Sequence, residues 1–225
     1  MDKQLILHAD DAGYKEHIDH AILNSLKQNI VQSCSVLMDN FPDKFLFKVR
    51  DFDYDVGLHF NSPKTDFLYH MDAQYKYMAK RDVIPTHIDS HGGAIFVIPD
   101  IARAYIEYGE YRNTPILVPK AKEDTIARFQ SLGLNLSGFD NYHGFRIDDF
   151  YVLSMLGGDS YEEKKYKFLY LLDNVQPGIT QIVLHISSNP DWKKWYWEWK
   201  LFEDKDVLNK LEEFDLTNWK KINGK

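Results

Sequence analysis

Short apolar runs alternate along the chain with longer stretches in which apolar residues recur every three or four positions. The first run, residues 5–9, is continuous and reads as a buried strand. Ala21, Ile22, Leu26 and Ile30 follow at helical spacing. Residues 33–38 predict a second strand and 43–52 a helix. Further strands are expected at 54–60, 86–90, 115–118, 134–139 and 179–186. Helices are expected from Pro99 onward and over 204–214, and a short strand over 216–220. Strand runs separated by helical ones imply successive parallel crossovers. A closed (β/α) barrel and an open doubly wound sheet both fit, and in either the site lies where the strands end.

Composition narrows the class of protein. The chain has 225 residues, 44% hydrophobic and 27% charged, which suits a soluble globular protein read as one domain over 1–225. A net charge of −7 argues against non-specific binding to nucleic acid or to an anionic membrane. No stretch reaches the roughly 20 apolar residues of a membrane span. The start lacks the pattern of a secretory signal, so a cytoplasmic location is the default expectation. The lone Cys34 excludes an intrachain disulfide and reads as a core thiol.

Polar residues matter most where an apolar run stops. Asp10-Asp11 ends the first run, ahead of Gly13. His59 ends the third, His91 follows the fourth, and His185 lies in the strong run 179–186. Asp140 and His143 follow 134–139 and are expected to line the same mouth. One Asp and two His suffice to hold a hydrolytic divalent metal with positions left for water and substrate. Such an ion lowers the pKa of water and polarises a carbonyl, and an adjacent carboxylate can take the proton. His87 and His91 are too far apart to share an ion, because four residues of strand span roughly 13 Å and metal–nitrogen bonds are about 2 Å. His91 is the better ligand, and His87 reads as structural support behind the site. Asp89 is placed to orient a ligand imidazole or the base. Asp-Asp as a helix cap and each His as an ordinary polar residue are the competing readings.

His8-Ala9-Asp10-Asp11-Ala12-Gly13, Val56-Gly57-Leu58-His59-Phe60 and Pro85-Thr86-His87-Ile88-Asp89-Ser90-His91, in this order, resemble the YdjC-like carbohydrate deacetylase family. The family includes chitooligosaccharide deacetylases and hopanoid-associated deacetylase-like proteins. The resemblance extends through Asn29-Ile30-Val31-Gln32-Ser33 and the late segment ending Leu216-Thr217-Asn218-Trp219-Lys220. It implies a deformed, TIM-like (β/α) barrel with about seven parallel strands. It implies hydrolysis of an acetyl or similar acyl group from an amino sugar or oligosaccharide. Asp11, His59 and His91 match the family's metal ligands, Asp10 its base, and His185 the group that protonates the leaving amine. One divalent ion is implied, zinc and magnesium foremost. The departures are Gly93 where many relatives carry a second His, Leu117 where an Arg is usual, Ile186 where Pro is common, Asn29 where Gly is usual, and a shorter loop between His59 and His87.

Trp192, Trp195 and Trp199 recur at helical spacing beside Trp197 and Tyr196. They are expected to pack a helix onto the barrel or to form a homodimer patch, with a sugar-stacking floor as the alternative. Two other functions stay open. Two His and a carboxylate also describe a non-haem metal oxygenase, although βα alternation argues against its usual all-β fold. A non-catalytic glycan-binding module on the same fold is the third reading, which the retained Asp10 disfavours.

Overall fold

The computed structural model describes residues 2–38, 42–61 and 65–224. Seven parallel strands form one curled sheet. They are β1 (Lys3–Ala12), β2 (Ser33–Leu37), β3 (Val56–Phe60), β4 (Ile88–Ser90), β5 (Asp149–Val152), β6 (Gly178–Leu184) and β7 (Asp215–Leu216). The order is β4-β3-β2-β1-β6-β5, and β7 fills the free edge at the start of β1. Between β4 and β5 only single bridges close the ring, Ile88 to Ile116 and Pro119 to Ile147. The result is a barrel that is loose on one side, as the alternation and the family resemblance imply.

The helices on the strand connections are α1 (Glu16–Lys27), α2 (Asp43–Val49), α3 (Phe67–Ala79), α4 (Pro99–Arg112), α5 (Glu123–Ser131) and α6 (Tyr161–Asn174). Three more lie late in the chain, α7 (Lys193–Lys200), α8 (Lys205–Leu211) and α9 (Trp219–Ile222). Strand alternation sorts β1 into two faces. Leu5, Leu7 and Ala9 join the large apolar core, while Ile6 packs with Leu117, Ile147 and Trp219. His8 and Asp10 share the Ile6 face by the same alternation, so polar groups occupy the lumen above an apolar floor.

Three predicted strands differ. Residues 115–118 make only bridge contacts, and 134–139 form a loop ending in a 3₁₀ turn, Ser137–Phe139. Residues 216–220 contribute two strand residues and then α9, whose first turn is capped by the Asn218 side chain accepting from the Lys221 N–H. That helix start brings Trp219 into the barrel, fully buried. Its Nε1–H donates to Gln181 Oε1 at 2.9 Å, and its ring stacks on His87. Asn29 has φ +54, a left-handed conformation that Asn tolerates and Gly prefers, which accounts for that departure. No helix among the described residues is long and apolar enough to cross a membrane.

Candidate metal and acid–base site

The site begins with an irregularity in β1. Adjacent residues of a regular strand face opposite ways. Here the pairing with β2 shifts register between Ala9 and Ala12, and Asp11 has φ +66. A bulge of this kind re-aims side chains. Asp10 Oδ2 and Asp11 Oδ1 both approach His59 Nε2, at 3.7 and 3.4 Å.

His91 completes the group from the loop after β4. Its Nδ1 lies 3.1 Å from Asp11 Oδ1 and 3.2 Å from His59 Nε2. Gly92 and Gly93 follow at φ +62 and +66. Two successive left-handed residues turn the chain sharply beside the imidazole, and glycine adopts that conformation without strain. Gly93 is therefore what this backbone favours where relatives carry His.

Bonds of about 2.0–2.1 Å place cis ligand atoms about 3.0 Å apart in an octahedral shell and about 3.3 Å apart in a tetrahedral one. The Asp11, His59 and His91 atoms, at 3.1 to 3.4 Å from one another, fit a cation of either geometry. His59 is oriented for it. Asp89 Oδ1 accepts from its Nδ1–H at 2.6 Å, which turns Nε2 toward Asp11 and His91. A carboxylate behind a ligand imidazole is the usual way to fix its tautomer and raise its basicity. Among the described residues, two other groups could also surround an ion, His8 with His87 and Asp89, and Asp10 with His59 and Asp89. Both are buried and both need Asp89, which already serves His59 and His8. The set with half-exposed His91 is open to solvent and substrate.

Behind the ligands, His8 Nε2 lies 3.1 Å from Asp10 Oδ1 and 2.9 Å from Asp89 Oδ2. Both carboxylates are close enough to hold a proton on the imidazole. Ser33 donates to Asp55, so His8 Nδ1–H must donate to Ser33 Oγ, at 2.9 Å. Burial pulls the His8 imidazolium down, but Asp10 and Asp89 raise it to about 9. Burial likewise opposes the charge on His59, and Asp10, Asp89 and Asp11 raise it to about 10. For Asp11, burial is outweighed by the His91 contact and the charges of His59 and His185, which hold its carboxyl below the ordinary range. Asp89 is lowered against burial by His59 and His8. The field that draws protons onto these imidazoles is the field that attracts a divalent cation.

His185 follows β6. Its Nε2 lies 3.9 Å from Asp11 Oδ2, and its Nδ1 3.4 Å from Ser154 Oγ. Its backbone N–H donates to Glu198 Oε2 at 2.8 Å, and Glu198 is paired with Lys164 at 3.2 Å, all within the core. Lys164 is buried within the charged run 162–165, and its pair with Glu198 ties α6 and α7 to the end of β6. Trp192, Trp195 and Trp199 pack α7 against the core, and the Trp195 ring lies 5.1 Å from the His185 ring.

His87 stands behind the site. Its ring packs on Gly57 and Trp219, and Asp55 Oδ1 lies 3.3 Å from its Nδ1. Asp140 and His143 do not join the mouth. Both are exposed, because 134–139 is not a strand pointing them there, and their neighbours Tyr142 and Gly144 border a separate depression with Thr114 and Asn223. His8, Asp55, Ser33 and Glu198 were not singled out from sequence. His8 was detectable in principle, since it shares the period-2 face of Asp10.

The fold and this constellation define a parallel barrel with a candidate His₂Asp cation site at the ends of its strands. The YdjC-like protein family profile matches residues 4–64, which include Asp10, Asp11 and His59; His91 and His185 lie beyond that segment. No curated protein sequence matches the chain. Among solved structures, an Enterococcus faecalis V583 protein provisionally named for cellobiose-phosphate cleavage superposes with a TM-score of 0.77 at 18% identity, over 99% of both chains. A peptidoglycan N-acetylglucosamine deacetylase gives 0.58 at 14% identity, over 97% of this chain and 86% of its own. A Bacillus cereus polysaccharide deacetylase gives 0.53 at 13%, over 95% and 89%. At these identities the likeness is one of fold.

Proposed function

We propose that the protein is a metal-dependent hydrolase that removes an acyl group from an amino sugar or a short oligosaccharide. The observation that carries this reading is the bulge that turns both Asp10 and Asp11 toward His59, one within reach of a cation and one free to act as base. Its support from likeness is the YdjC-like match over the segment holding that bulge and the shared fold with carbohydrate deacetylases. Asp11, His59 and His91 would hold the ion. When bound there, a divalent cation supplies an acidified water and polarisation of the amide carbonyl.

The chain's own groups do the rest. Asp10, beside His8 at 3.1 Å, takes a proton as water adds to the carbonyl carbon. His185 donates a proton to the departing nitrogen from Nε2, its ring steadied by Trp195 and Ser154. Asp89 and His87 hold the base and ligands in place. The test is release of carboxylate from N-acylated glucosamine and its oligomers, assayed with zinc, magnesium, manganese, cobalt or nickel and with a chelator. Ion-dependent release abolished by chelation is expected, and chelator-resistant turnover would refute the reading. Oxygen consumption coupled to turnover would point instead to the oxygenase reading.

A further inference from the structure

A cavity of about 330 Å³ opens directly off the candidate site, with Asp10, Asp89 and His185 at its inner end. It lies on the loose side of the barrel, where 115–119 makes only bridges and leaves space between β4 and β5. Ile95, Phe96, Phe129, Leu134, Phe150 and Leu156 form much of its wall, and Leu117 adds to it from the barrel side. Leu132 and Met155 line it too and are about half exposed, which gives the cavity an outer opening. Arg128 is the one Lys or Arg in the lining among the described residues. It is already paired with Asp149 and lies 4.0 Å over the Tyr151 ring. A phosphate or carboxylate in the cavity would have to displace that pair.

We propose that this cavity takes a hydrocarbon acyl chain, so that the preferred substrate is an amino sugar carrying an amide longer than acetyl, of about six to ten carbons. The inference rests on the hydrolase reading above. The two sides of the reacting amide are distinguished by what surrounds them. His185, the proposed donor to the nitrogen, stands against Trp195, and Trp195 against Trp192. Those half-buried aromatic faces suit a sugar ring on the amine side. The apolar cavity is then left for the acyl side. At ~30 Å³ for each atom-sized unit, the space accommodates roughly ten such units, far more than one methyl group. In the reaction, the oxygen of water bonds to the carbonyl carbon and the carbon–nitrogen bond breaks. Both protons of that water end on the nitrogen, one as the bond breaks and one as the amine leaves, so a fatty carboxylate and the ammonium form of the amino sugar are released.

The test compares glucosamine N-acylated with acetyl, hexanoyl and octanoyl groups on the ion-loaded enzyme. It is joined by calorimetric titration of octanoate and of acetate, which needs no turnover. Each methylene seated in the wall favours binding by up to about fourfold, so kcat/KM for octanoyl should exceed that for acetyl by at least tenfold. Octanoate should bind at least tenfold more tightly than acetate. Leu134→Trp and, independently, Leu156→Trp should fill the space and flatten both preferences. Equal kcat/KM for acetyl and octanoyl, or octanoate binding no tighter than acetate, would overturn the inference. A chain-length preference seen only for alkyl groups placed on the sugar's anomeric oxygen, and absent for the acyl group, would also overturn it, by putting the hydrocarbon on the other side. Tight octanoate binding with no hydrolysis of any amide would support the cavity assignment and refute the hydrolase reading.

Discussion

Asp11 combines a strained backbone with a ligand role. At φ +66 it lies in the left-handed region, which costs a non-glycine residue about 1–2 kcal/mol. That strain is how two neighbouring carboxylates come to face one imidazole. Replacing Asp11 by Ala or Gly removes the ligand in both cases, but only Gly relaxes the backbone. Chemical denaturation should find Asp11→Gly more stable than Asp11→Ala by about 1–2 kcal/mol, with the ion lost from both. Equal stabilities would mean the bulge is not strained. His8 supplies a pH signature. Its folded-state pKa is raised from 6.5 to about 9, so its contribution is fully present below pH 6.5 and is lost as pH rises through 9. For the chelated protein, the unfolding free energy should fall by a few kcal/mol across that window, and His8→Gln should remove the His8 share of the fall while the share of His59, raised to about 10, remains. Asp10, Asp11, His59, His91 and His185 were legible because each interrupts or ends an apolar run. His8, Asp55 and Glu198 were not, since partners 13 to 34 positions away in sequence give them their meaning.

The strands were legible wherever burial on both faces produced a continuous apolar run, as in β1, β2, β3 and β6. β5 was missed because Asp149 and Tyr151 break the apolar pattern, and their polar atoms are spent on each other and on Arg128. Residues 115–118 look like a strand because they are buried, yet burial here comes from plugging the loose side of the barrel rather than from a full ladder. The same logic misplaced the end of the chain, where Trp219 reads as strand but serves as the barrel's floor. His87 depends on that floor from one side and on β3 from the other. A Cβ at Gly57 would fall well inside contact distance of the His87 ring. Gly57→Ala should therefore cost about 1–3 kcal/mol by overpacking, read as a lowered midpoint in thermal or urea unfolding. An unchanged midpoint would show that the ring is free to move.

In the molecule as a whole, the barrel is tight where β1 is paired on both edges and loose between β4 and β5. The charged cluster sits at the border between those halves, so a polar reaction centre abuts an apolar cavity. The alternation of runs and helices carried the architecture and the family resemblance the barrel, while the cavity could not be read from sequence because it arises where expected strands do not pair. The proposed chemistry depends on a division of labour within Asp10-Asp11, one carboxylate on the ion and one as base. The most direct test is carboxylate release from N-acylated glucosamine by Asp10→Asn, carrying the same bound ion as the wild type. The expected rate is lower by a factor of about 10²–10⁴ with ion content unchanged. A wild-type rate from that variant would contradict it.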